Sequence, residues 1–90
     1  GFEWDEAKAR WNLAAHGVSF AAVDDFDFAT ALEMEGSDHE SEEERTALLG
    51  KIGKQIHVFV FTRRGRRIRV ISLRRATAKE SHLYVEAKGY

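Results

Sequence analysis

Seven arginines fall within thirteen positions, where RRGRRIRV and then ISLRRA carry Arg63, Arg64, Arg66, Arg67, Arg69, Arg74 and Arg75. A guanidinium is planar and permanently charged; it grips phosphate through two parallel hydrogen bonds and can stabilise the added charge of a phosphorane-like transition state. Charges on exposed strands also keep sheets from pairing edge to edge. That second explanation suits Arg63 to Arg66. It suits Arg74 and Arg75 less well, because they leave the expected strand just before a helix.

Two further groups could carry chemistry. Glu80 and Tyr84 stand one helical turn apart, on the stripe that also holds Ala76, Leu83 and Ala87. An acid on an apolar stripe wants a partner, so Glu80 either completes a capping box and pairs with a nearby arginine or moves protons, and Tyr84 is either core or functional. His16 ends the first expected helix, where the negative end of the macrodipole favours imidazolium. It is a capping group or a proton carrier. His39, His57 and His82 lie in separate segments without ligand spacing, and Asp38 with His39 is only a loop pair, so no metal site is expected. The chain shows no Gly-rich phosphate loop, zinc knuckle or serine elbow. With no cysteine it has neither a thiolate nucleophile nor disulfides.

The net charge of −1 hides an asymmetry. Residues 1–45 hold 13 acids and 3 bases, and residues 46–90 hold 2 acids and 11 bases, so the halves carry −10 and +9. A near-neutral whole can thus present a basic face to phosphates while its acidic half discourages indiscriminate wrapping of nucleic acid. Two solvated faces that attract each other would give the same count. Ninety residues, 43% hydrophobic and 32% charged, suit one soluble domain, which we place at residues 2–88. Nothing resembles a secretory core or a membrane span, so the cytoplasm is the simplest address. Gly1 reads as a trimmed end.

These residues need elements to hold them. Phe2 to Trp4 reads as extended, and Asp5 caps a helix that runs to His16 and stops at Gly17. Lys8, Trp11, Asn12 and Ala15 recur along it, with Trp11 expected in the core. Ser19 caps a short second helix that fades near Phe26, stapled by Val18 and Val23. Alternation from Thr30 to Glu35 predicts a half-exposed strand, and Gly36 to Glu43 an acidic mobile loop. Glu44 to Gly50 resumes strand character, and Ile56 to Thr62 is apolar on both faces, as a central strand is. Arg63 to Arg66 turn the chain into a partner strand from Arg67 to Leu73, with Arg67, Arg69, Ile71 and Leu73 expected on one face and Ile68, Val70 and Ser72 on the other. Thr77 and Glu80 have capping-box spacing for a last helix that ends near Lys88. The expected fold is α+β: two N-terminal helices, a four-stranded antiparallel sheet and a C-terminal helix.

FEWDEAKARWNLAAHGVSF, an isolated Arg45, IHVFVFTRRGRRIRVISLRRA, and then Glu80 and Tyr84 resemble the BrnT family, the toxin halves of bacterial type II toxin-antitoxin pairs. The likeness spans nearly the whole chain and is most specific in the opening F-x-W-D-x-x-K-x-x-x-N-x-x-x-H-G-V-S-F and in R-I-x-x-I-S-x-R-x-A. It implies a RelE-like fold and RNA cleavage that halts translation. It also implies a BrnA-like antitoxin with a ribbon-helix-helix DNA-binding domain, operator DNA being bound only through that partner. The family's polar positions fall on Asp5, Lys8, Asn12, His16, Arg45, Arg69, Ser72, Arg74, Glu80 and Tyr84. The chain departs from the pattern at Ala15, where lysine is frequent, at Leu73, where alanine is, and after Phe26, where the usual Asp-Pro is missing.

Such an enzyme uses the substrate's own 2′-hydroxyl as nucleophile, so it needs no cofactor and no metal, only a base, an acid and positive charge around the phosphate. The resemblance points to Arg74 with Arg69 or Arg75 on the phosphate, Glu80 or His16 in proton transfer, and Tyr84 or Lys8 as orienting groups. Arg64 and Arg67 extend the RNA-binding surface. An alternative is a non-catalytic interaction module whose basic face binds an acidic partner segment. A DNA-binding repressor fits least, since the arginines lie on strands rather than on a recognition helix.

Overall fold

The computed structural model describes residues 1–35, 37 and 44–89. The elements run β1 (Phe2–Glu3), α1 (Glu6–His16), a 3₁₀ turn (Phe20–Asp25), β2 (Leu32–Glu33), β3 (Thr46–Ile52), β4 (Gln55–Arg64), β5 (Arg67–Arg75) and α2 (Ala78–Lys88). The α+β class holds, with two corrections. The sheet has five strands in the order β1-β5-β4-β3-β2, because Phe2 and Glu3 pair in parallel with Ile68 and Arg69. The second N-terminal helix is a single stretch of 3₁₀. The acidic segment expected as a loop, with Asp38 and His39, lies outside the described residues apart from Ser37.

Local chemistry sets the ends of the elements. Asp5 accepts hydrogen bonds from the N–H groups of Ala7 at 2.8 Å and Lys8 at 3.3 Å, and Gly17 closes α1 in the left-handed region at φ 70°. Thr77 and Glu80 form the expected capping box on α2. The β4–β5 hairpin turns through Gly65 and Arg66, with Gly65 at φ 60°, a conformation that only glycine adopts without cost.

One face of the sheet carries Phe59, Phe61, Val70 and Leu73 and is covered by Phe20, Val23 and Phe26 of the 3₁₀ segment and its exit, with Ala9 of α1 packed beside them. Phe26 lies against Gly50, where a side chain would meet its ring. The other face carries Leu49 and Val58, covered by Tyr84 of α2.

Two expectations about faces are overturned. Trp11 does not face the core: it is 66% exposed, while its neighbour Asn12 is buried. The cause is the edge of β5. β1 covers that edge only at Ile68 and Arg69, which leaves the backbone of Leu73 without a strand partner on that side. Asn12 fills the gap, its Nδ2 donating to the Leu73 carbonyl at 2.7 Å and its Oδ1 accepting from the Leu73 N–H at 3.3 Å. Leaving a buried N–H and C=O unpaired costs about 1–3 kcal/mol each, so α1 turns Asn12 inward and carries Trp11 out by one helical step.

The second correction concerns β5. Val60 pairs with Ser72 but Phe61 pairs with Val70, so Ile71 is an extra residue, a β-bulge. The bulge moves Leu73 to the core face beside Val70 and moves Ser72 to the opposite face.

Candidate functional site

The bulge decides where the arginines go. On β4, Val58 and Val60 belong to the α2 side of the sheet, and Thr62 and Arg64 follow them on that face by alternation. Their partners across the ladder are Arg74, Ser72, Arg69 and Arg67. Without the extra residue Arg74 would project from the face opposite Arg69. With it, Arg64, Arg67, Arg69 and Arg74 share one face, and α2 covers that face only at its β3 end. Arg75 pairs with His57 and takes the other side.

Arg74 is fixed at two points by a carboxylate. Its Nη1 donates to Glu80 Oε1 at 2.8 Å and its Nη2 to Oε2 at 2.9 Å, a two-point pairing, and Nη1 also reaches the Arg75 carbonyl at 3.3 Å. Glu80 accepts a third hydrogen bond from the Thr77 N–H at 2.8 Å. The pairing with Arg74, aided by the Thr77 N–H, outweighs partial burial and holds the Glu80 carboxyl at about 2, while Arg74 is pushed further up by the same pairing. The Arg74 side chain stays 32% exposed, so its remaining donors meet solvent.

Arg69, Arg67 and Arg75 are held more loosely. Arg69 Nη1 lies 3.4 Å from Glu3 Oε2, across the parallel β1–β5 pair. Arg67 and Arg75 are exposed and, among the described residues, have no carboxylate partner.

The remaining candidates are placed elsewhere. Tyr84 is fully buried; its hydroxyl donates to Thr30 Oγ1 at 3.2 Å, and Thr30 in turn donates to Asp27 Oδ2 at 2.8 Å. The stripe expected to bury Leu83 and Ala87 with it does not, since Tyr84 is the one buried residue of α2. Lys8 and His16 lie on the exposed surface of α1, one turn before and one turn after Asn12, and neither makes a hydrogen bond or ion pair with an arginine. The His16 ring meets Trp11 edge to face, with centroids 5.7 Å apart. Among the described residues no three histidine, aspartate or glutamate side chains converge as metal ligands would.

Sequence reading missed two contributors. Asn12 stood in the opening motif but was not seen to clamp the strand that ends in Arg74. The Ile71 bulge was missed although Val70 and Ile71, two apolar residues in succession, break the alternation of an otherwise regular strand.

The arrangement defines a small α+β domain that presents several arginines on one sheet face, one of them pre-oriented by a carboxylate, a surface suited to phosphate. The family described as the ribonuclease toxin, BrnT, of type II toxin-antitoxin systems matches residues 4–80, and the chain belongs to it. The search of curated proteins found no match. Membership makes this a ribonuclease toxin whose counterpart is a protein antitoxin. No described helix is long and apolar enough to cross a membrane.

Proposed function

We propose that residues 2–88 act as one RelE-like domain, a metal-independent endoribonuclease that cuts RNA in the cytoplasm and so halts translation. A BrnA-like ribbon-helix-helix antitoxin neutralises it and carries the pair to operator DNA. The observation that bears most on this reading is the Arg74 guanidinium, held at two points by Glu80 with donors left over, on the same face as Arg64, Arg67 and Arg69.

In the reaction a base takes the proton of the 2′-hydroxyl and the freed oxygen bonds to phosphorus. The bond from phosphorus to the 5′-oxygen breaks, and an acid protonates that leaving oxygen. The products are a 2′,3′-cyclic phosphate and a free 5′-hydroxyl. Arg74 neutralises the phosphate as its charge grows, Arg69 and Arg67 hold the flanking backbone, and Arg64 extends the same track. Arg75, on the other side of the strand exit, steers RNA rather than gripping the reacting phosphate.

Of the two candidate proton carriers, we assign the role to His16. Glu80 carries no proton near neutral pH, and both its oxygens are occupied, so its role is to position Arg74. Lys8 is the orienting group, because Tyr84 is buried away from substrate. Purified Arg74→Ala protein is expected to lose RNA cleavage while still forming the antitoxin complex. Loss of that complex with cleavage retained would favour the interaction-module reading instead.

A further inference from the structure

At the β3 end of the face that carries the arginines, α2 leaves an open groove of about 810 Å³ between itself and β2–β3. Its floor is apolar, formed by Leu32, Met34, Leu49 and Leu83, and Leu83 is 48% exposed on a helix that buries only Tyr84. Its rim is acidic: Glu33, Glu35 and Glu86 line it with one cation among the described residues, Lys79, while Glu86 also meets His82 Nε2 at 3.0 Å and Glu80 is paired with Arg74. An apolar trough with this rim repels RNA and attracts a polypeptide that sets apolar side chains among lysines and arginines.

We propose that this groove is the docking site for the antitoxin, and that it takes an apolar segment flanked by basic residues. The inference rests on the protein antitoxin that family membership implies, not on the ribonuclease reading. It departs from a partner bound by the arginines, because it puts the partner at the acidic β3–β2 end of that sheet face and RNA at the basic β5 end. It also gives the partner a route to the site. The groove is lined by Glu80, which holds Arg74, and by Thr77, whose N–H donates to Glu80, so a segment seated there bears directly on the carboxylate that positions the guanidinium.

The test uses the full chain and the antitoxin encoded beside it, with affinity measured by calorimetry at two salt concentrations. Leu83→Glu should weaken the complex by about thirtyfold or more, as loss of an apolar anchor does. The double variant Glu35→Lys/Glu86→Lys should weaken it by about tenfold and flatten its salt dependence. Arg67→Glu, at the distant basic end of the same face, should leave it within about twofold. Circular dichroism melts report folding, and the charge-reversal pair carries the test if Leu83→Glu does not fold. The proposal is overturned if the groove variants bind at full strength while Arg67→Glu does not. It is equally overturned if sedimentation shows the isolated chain to be a dimer that Leu83→Glu dissociates, since a second copy would then fill the groove. RNA cleavage is not read in this assay, so its outcome is separate from that of the catalytic reading.

Discussion

Arg74 and Glu80 are six residues apart, one on the last strand and the other in the first turn of the last helix, and their two-point contact joins these elements. Because the Glu80 carboxyl is held at about 2 against an ordinary 4.5, folding gains stability from it that is complete above about pH 4.5 and is lost as pH falls towards 2. Thermal melts should therefore show a midpoint that drops across that window, with Glu80→Gln flattening the drop. After solvent screening the contribution is on the order of 1–2 kcal/mol. Asn12 is the second residue to probe. Asn12→Leu leaves both polar groups of the Leu73 backbone unpaired and should cost about 2–4 kcal/mol in chemical denaturation, whereas Trp11→Ala, on the exposed side of the same turn, should cost under about 1 kcal/mol.

At the scale of elements, the sheet is held by contacts that β-propensity alone does not specify. The Phe26 ring sits where a Cβ on Gly50 would lie 2.5 Å from its Cζ. Gly50→Ala should thus destabilise by about 1–3 kcal/mol, read from the urea midpoint, because Phe26 is wedged against Phe28 and Phe59 and cannot retreat freely. The elements also show what a sequence can and cannot tell. The hairpin, the helix ends at Asp5, Gly17 and Thr77, and the capping box were legible because each depends on residues a few positions apart. The parallel pairing of Phe2 and Glu3 with Ile68 and Arg69 was not, since two residues carry no period and their partner is more than sixty positions away. The inward turn of Asn12 escaped for the same reason: hydrophobicity favours Trp11, and the need that overrides it belongs to Leu73.

Over the whole molecule, the charge asymmetry visible in the sequence becomes a separation along one sheet face. Arg64, Arg67, Arg69 and Arg74 share one sheet face because Ile71 bulges, and carboxylates of β2 and α2 line the groove at the β3 end of that face. Membership of a ribonuclease toxin family was legible through the resemblance carried by the opening and hairpin motifs. The division of labour within the site was not, because only the fold shows that Glu80 is committed to Arg74 and Tyr84 to Thr30. The central claim is that this arginine face drives cleavage by the RNA's own 2′-hydroxyl. Its most direct test is to incubate the purified toxin with a defined RNA in excess chelator and analyse the product ends. The expected ends are a 2′,3′-cyclic phosphate and a 5′-hydroxyl, with no cut where a single 2′-deoxynucleotide replaces the ribonucleotide at the cleavage position. Intact RNA under chelation, or cleavage that persists at the deoxynucleotide, would contradict it.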